Sequence, residues 1–210
     1  MKRALFSFLV FLLVPVAVGA QVFYGTTDLK QFRSGRDKEF RSIKESPLKA
    51  EDFAAFKGLS YFATDPAFRV TATFAETPNE KFFAMPTSSG KSAKYVKYGV
   101  LSFKLKGKDF QLSVYQPDPE AMKDFPEYKD ILLIPFFDLS NKTETYSGGR
   151  YINLVHPLGK TAILDFNLSY SPSCAYGSGR YSCPIPPREN SLAIDVKAGE
   201  KRFEYFGQKH

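Results

Sequence analysis

The sequence predicts a mainly β fold, an antiparallel β-barrel or β-sandwich of about eight or nine strands behind a short helical N-terminal lead-in. Three observations carry this. The 210-residue chain holds 21 Phe and 12 Tyr but no Trp, and such residues suit a pleated, half-buried surface. From Val70 onward apolar and polar residues repeatedly alternate with a period of two, the period of a strand with one buried face. Gly, Pro and Asn punctuate these runs at short intervals. Hydrophobic residues at 43% and charged residues at 24% are ordinary for a chain that buries a core.

In chain order, residues 1–20 read as a secretory signal peptide. Met1, Lys2 and Arg3 form a basic start, 4–18 an apolar run, and Val18-Gly19-Ala20 a small-residue cleavage site before Gln21. The apolar run is shorter than the roughly 20 residues that span a bilayer, and no Cys follows it for lipid attachment. Cleavage is therefore expected to leave a soluble, periplasmic or secreted monomer with no membrane span. Residues 21–64 form a helical or irregular lead-in. Short helices are expected at 37–44, where Phe40 and Ile43 stand three apart before Ser46-Pro47, and at 51–57, which carries Phe53 and Phe56 and ends at Gly58.

Residues 65–210 form the antiparallel β-domain, a single globular unit with the lead-in. Val70, Ala72 and Phe74 mark a first strand and 81–85 a second. Leu101, Phe103 and Leu105, then Phe110, Leu112 and Val114, flank Lys106-Gly107-Lys108 as a hairpin. The three prolines within 116–128 mark a surface loop, and 131–137 is a continuous apolar run suited to a strand buried on both faces. Residues 152–155 and 161–168 read as a second hairpin about Pro157-Leu158-Gly159-Lys160, and 192–196 as a closing strand.

Charge and motifs exclude several functions. The net charge of +7, reduced by two when Lys2 and Arg3 leave, is spread along the chain and does not imply nucleic acid. The lysines at 91–108 read as the solvated face of a hairpin. Gly90-Lys91-Ser92 lacks the first Gly of a phosphate-binding loop, and Gly177-Ser178-Gly179 is no nucleophile elbow. The only histidines are His156 and His210, so neither a metal site nor a bound cofactor is expected. Cys174 and Cys183, with eight residues between them, are expected to form one disulfide within the chain in an oxidising compartment, worth about 2–3 kcal/mol.

Polar and turn-forming residues crowd into 136–200. The motifs are Phe136-x-Asp138, Thr145-Tyr146-x-Gly148-Gly149-Arg150-Tyr151, Asp165-Phe166-Asn167, Pro172-x-Cys174-Ala175-Tyr176, Cys183-Pro184-x-Pro186-Pro187-x-Glu189-Asn190 and Ala198-Gly199-Glu200. With Arg36-Asp37 and Ser46-Pro47-Leu48 they resemble a bacterial family catalogued as domain of unknown function 1684, over most of the mature chain. Ser171 departs from the Asn usual before the Pro. The resemblance implies no activity or ligand.

The residues themselves supply geometry for part of this set. With Leu158-Gly159 at the centre of the hairpin, Arg150 stands opposite Asn167, Ile152 opposite Asp165 and Leu154 opposite Ile163, so Arg150, Asn167 and Asp165 share one face. One reading is a buried Arg-Asp-Asn network that fixes strand ends, since a buried charge must be paired. Another is a polar-floored pocket in which Arg150 grips an anionic or carbonyl-bearing small molecule. A third is an acid/base site of Asp165 with Glu189 or Asp138, a carboxylate-dependent hydrolase. The preferred function is a small-ligand binding or envelope-accessory module. Its candidate ligand-binding residues are Arg150, Asp165, Asn167, Glu189, Asn190, Asp138, Tyr146 and Tyr151. Asp165→Ala is expected to damage folding more than Arg150→Ala.

Overall fold

The computed structural model describes residues 25–204; the expected signal peptide at 1–20 lies outside them. The fold is mainly β and antiparallel, built as one sheet curled into a half-barrel. Its strands are β1 (Arg69–Glu76), β2 (Phe83–Pro86), β3 (Ser92–Leu105), β4 (Lys108–Pro117), β5 (Ile131–Asp138), β6 (Arg150–Val155), β7 (Thr161–Asp165) and β8 (Ser191–Leu192). The order is β6-β5-β4-β3-β1-β7, with β2 on β3 and β8 lying parallel to β5.

Alternation places the core. Phe68, Ala72, Leu101, Phe103, Leu105, Leu112, Val114, Ile134, Ile152 and Leu164 face inward, and Leu192, Val196 and Ala198 close the concave side. The β3–β4 hairpin forms as its sequence predicts, Leu105 opposite Lys108 across a two-residue turn. Lys106 at φ 48° and Gly107 at φ 81° give that turn the positive dihedrals matching the right-handed twist of the strands.

The lead-in differs in register from expectation. Its helix α1 (Leu29–Phe40) begins earlier than 37–44, because Asp28 caps it by accepting from the Gln31 amide at 2.7 Å. A single turn, α2 (Ala50–Phe53), replaces the helix expected at 51–57. Phe32, Arg36 and Phe40, spaced by four, form the buried face of α1. Phe32 packs with Tyr151, Leu168 and Tyr170, so the lead-in rests on the sheet.

The second predicted hairpin does not form. β6 pairs with β5, Ile152 opposite Ile134, and β7 pairs with β1, Leu164 opposite Val70. The two strands occupy opposite edges of the sheet, and residues 156–160 cross between them, with Leu158 packed against the core. Alternation fixes which face a strand buries but not which neighbour it takes. The expected strand at 192–196 is only the two-residue β8.

Candidate functional site

Arg150 opens β6 opposite Phe136, directly after Gly149, whose φ of +87° suits glycine and where a Cβ would stand 2.7 Å from the Phe136 carbonyl oxygen. The Arg150 side chain is fully buried. It donates to Asp138 Oδ2 at 2.9 Å and to the carbonyls of Val196 at 2.8 Å, Ala198 at 2.5 Å and Glu200 at 3.3 Å. Asp138 Oδ1 in turn accepts from the Ser140 amide at 2.8 Å and the Val196 amide at 3.1 Å. Burial draws the Arg150 guanidinium below its ordinary pKa while Asp138 pulls it back up. This is a strap that ties the C-terminal segment to the end of β5 and the start of β6; Nη1 and Nη2 donate to protein acceptors, and Nε is buried without a partner among the described residues.

Asp165 and Asn167 stand elsewhere, because β7 lies on the opposite edge. Asp165 Oδ1 accepts from the Asn167 amide at 2.9 Å and from its Nδ2 at 2.8 Å, capping the 3₁₀ turn Phe166–Leu168. Its Oδ2 lies 3.5 Å from the half-exposed Arg69. Asn167 Oδ1 accepts from the Asp65 amide and its Nδ2 donates to the Asp65 carbonyl, both at 3.0 Å, pinning the entry to β1. The Arg150–Asp165–Asn167 cluster expected from the sequence is therefore divided between two sites, each with its own local partners.

Glu189 and Asn190 form a third locality, on the outer face of the sheet. Pro186 and Pro187 lead into a 3₁₀ turn, Arg188–Asn190, that lies over β4. Asn190 Oδ1 accepts from the Ser113 amide at 2.7 Å, and its Nδ2 donates to the carbonyls of Ser113 at 2.9 Å and Pro135 at 2.8 Å. The cause is Pro135 itself: proline has no N–H to give β4, so the Asn190 carboxamide acts as an inserted peptide group between β4 and β5. This fixes Glu189 half-exposed beside Lys97, Ser113 and Tyr115. Its Oε1 accepts from Ser113 Oγ and Tyr115 Oη at 2.9 Å and from Lys97 Nζ at 3.2 Å. Partial burial would raise this carboxyl, but those three donors outweigh it and hold the group below the usual carboxylate range.

Glu189 and Ser191 wall a groove of about 720 Å³ on that outer face. Its floor is a cross-strand ladder of polar side chains, Thr73 opposite Ser102 and Ser102 opposite Gln111, flanked by Thr71 and the Lys104–Asp109 pair. Gln111 Nε2 donates to Ser102 Oγ at 3.1 Å, while the neighbouring Phe103 and Phe110 turn their side chains to the core on the other face. The hydrogen-bonding side chains that can hold a small polar molecule are present.

The remaining candidates are placed as follows. Tyr151 Oη donates to the Pro184 carbonyl, and Tyr146 Oη lies 4.0 Å from Cys174 Sγ. Cys174 and Cys183 are free thiols in this structure, with the Cys174 amide donating to Cys183 Sγ at 3.1 Å. Asp138, Asp165 and Glu189 are each bound into a separate set of partners, so the paired carboxylates of a hydrolase are not assembled from them. Among the described residues no cluster of three or more His, Cys, Asp or Glu is placed to hold a metal ion, and no helix is long and apolar enough to cross a membrane.

A buried network absent from the candidate set joins Arg36 of α1 to the C-terminal segment. Arg36 donates to Glu200 Oε2 at 3.1 Å, Tyr176 Oη at 3.0 Å and the Ser171 carbonyl at 3.2 Å, while Tyr176 Oη donates to Glu200 Oε1. Burial raises the Glu200 carboxyl despite the adjacent Arg36. The signal was present in the sequence as an arginine at helical spacing between Phe32 and Phe40.

Comparison with known proteins agrees with the fold. A solution NMR structure of the uncharacterized protein from gene locus rrnAC0354 of Haloarcula marismortui is similar at 35% identity and a TM-score of 0.65, covering 82% of this chain and 91% of that one. Comparison with curated proteins gives no match. The family described as "Protein of unknown function (DUF1684)" matches residues 54–201, which span every strand and every candidate site residue, and the chain belongs to that family.

Proposed function

We propose that the protein is an exported, soluble, monomeric binding module whose small-molecule ligand sits in the outer-face groove between Glu189 and the Thr73–Ser102–Gln111 ladder. The observation that carries this reading is the groove itself: about 720 Å³ falls within the roughly 300–1,000 Å³ of small-molecule sites. Export rests on the signal-like pattern of residues 1–20. The ligand class follows from the lining. Hydroxyls, a carboxamide and a fixed carboxylate offer donors and acceptors side by side, a combination that suits a polyhydroxylated, carbonyl-bearing molecule such as an acetamido sugar. Relative to the sequence expectation the pocket moves from Arg150, whose donors face the protein, to Glu189.

Titration of ¹⁵N-labelled protein with chitobiose and a panel of small polar metabolites tests it. Amide shifts confined to residues 71–73, 102–111 and 189–191, weakened in Gln111→Ala and Glu189→Gln, are expected. Ligands that perturb only other surfaces, or no binding across the panel, refute it.

A further inference from the structure

The two cysteines, nine residues apart, are held in place by a turn far from them in the chain. Cys174 lies in the 3₁₀ turn Ser173–Tyr176 and is half-buried, whereas Cys183 is enclosed at 8% exposure. Cys183 is clamped from one side by the turn between β2 and β3. Its amide donates to Ser88 Oγ at 3.1 Å, and the Ser88 amide donates to its carbonyl at 2.9 Å. Ser182 Oγ, its neighbour, bonds Thr87 Oγ1 at 2.7 Å and Ser89 Oγ at 2.6 Å. From the other side the Cys174 amide reaches Cys183 Sγ. The result is two unbonded thiols held next to each other, Cys174 less enclosed than Cys183.

Their chemistry is correspondingly unequal. A hydrogen bond from the Cys183 thiol brings the Cys174 thiol down to about 6 against the opposing effect of burial, with help from the Ser88 and Tyr146 hydroxyls. The same bond, together with burial, pushes the Cys183 thiol far up. The shared hydrogen bond favours the thiolate on Cys174, the less enclosed of the two, and the thiolate is the form that attacks disulfides.

We propose that Cys174 and Cys183 form a thiol–disulfide exchange site, with Cys174 attacking a small-molecule disulfide of the glutathione class and Cys183 resolving the adduct. In the first step Cys174 Sγ bonds to one substrate sulfur, the substrate S–S bond breaks, and one thiolate leaves to take a proton from solvent. In the second, Cys183 loses its proton, attacks Cys174 Sγ and expels the second thiolate, which takes up that proton. Two protein thiols are oxidised to one disulfide while one substrate disulfide is reduced to two thiols.

The test starts from fully reduced, folded protein mixed with oxidised glutathione and followed by intact mass. Wild type is expected to lose the mass of two hydrogens. Cys183→Ser, with Cys183→Ala as a second variant, is expected to gain one glutathione on Cys174, at least about tenfold faster than Cys174→Ser gains one on Cys183. Alkylation of wild-type Cys174 by iodoacetamide should titrate with a midpoint near 6 and move upward in Cys183→Ser, which lacks the thiol donor. Melting curves of each variant before mixing confirm that folded protein is being compared. Equal reactivity of the two single-cysteine variants overturns the assignment. So does a native pair that reacts only after denaturation, or an intrachain bond that dithiothreitol reduces only in unfolded protein, since that bond would be a structural staple.

Discussion

Replacing Arg150 by alanine separates a strap from a ligand grip. The substitution strands Asp138 Oδ2 in a site with no solvent exposure and removes donors from the carbonyls of Val196, Ala198 and Glu200. Breaking a buried, hydrogen-bonded charge pair by deleting one partner costs about 3–5 kcal/mol, a large part of the roughly 5–15 kcal/mol that holds a domain folded. For a chain of this size each kcal/mol moves the thermal midpoint by about 2–4 °C, so a fall of about 10 °C is expected. Arg150→Lys keeps the charge but loses the planar fork, and should recover part of the loss. Asp165→Ala removes a cap and a partly exposed partner of Arg69, worth about 1–2 kcal/mol. Arg150→Ala is thus the more damaging change, the reverse of the order expected from sequence. Thermal melts followed by circular dichroism measure all three. A midpoint for Arg150→Ala within about 3 °C of wild type, or a larger loss in Asp165→Ala, refutes the strap.

Asn190→Ala should cost about 2–4 kcal/mol in urea melts, because it leaves the Ser113 amide and the Ser113 and Pro135 carbonyls without the side chain that pairs them, and hydrogen exchange at Ser113 should accelerate. Gly149→Ala should destabilise by about 2 kcal/mol or more, since its φ is positive and its Cβ would press on the Phe136 carbonyl; an unchanged midpoint contradicts this. Glu189 has a folded pKa below its ordinary 4.5, so its contribution to stability is complete above that value and is lost as pH falls through the folded pKa. The stability gap between wild type and Glu189→Gln, read from urea melts across acid pH, should therefore narrow below about pH 4.5; a gap that widens there counts against the hydrogen bonds drawn to Oε1.

The β3–β4 hairpin was legible because alternation on both sides of Lys106-Gly107 leaves one register. Sequence adjacency does not settle partner choice, so the expected β6–β7 hairpin, and with it the pairing of Arg150 with Asn167, does not form. Asp138 was named, but only the β5–β6 register, Phe136 opposite Arg150, makes it the counter-charge. Asn190 could be singled out from its motif, yet its task depends on Pro135 lying beside Ser113, a fact of the sheet and not of either segment. Arg36 is legible as a buried residue once the helix starts at the Asp28 cap, since it stands four residues from both Phe32 and Phe40.

The carboxamide of Asn190 that stands in for a missing peptide group has a consequence for synthesis. Strands β4 and β5 leave the ribosome long before residue 190, and until then the Ser113 amide and carbonyl have no mate at Pro135. The guanidinium of Arg150 waits similarly for acceptors at 196, 198 and 200. The sheet around β4, β5 and β6 is thus completed only once residues 190–200 have emerged, and these strands stay unlocked in the nascent chain until then.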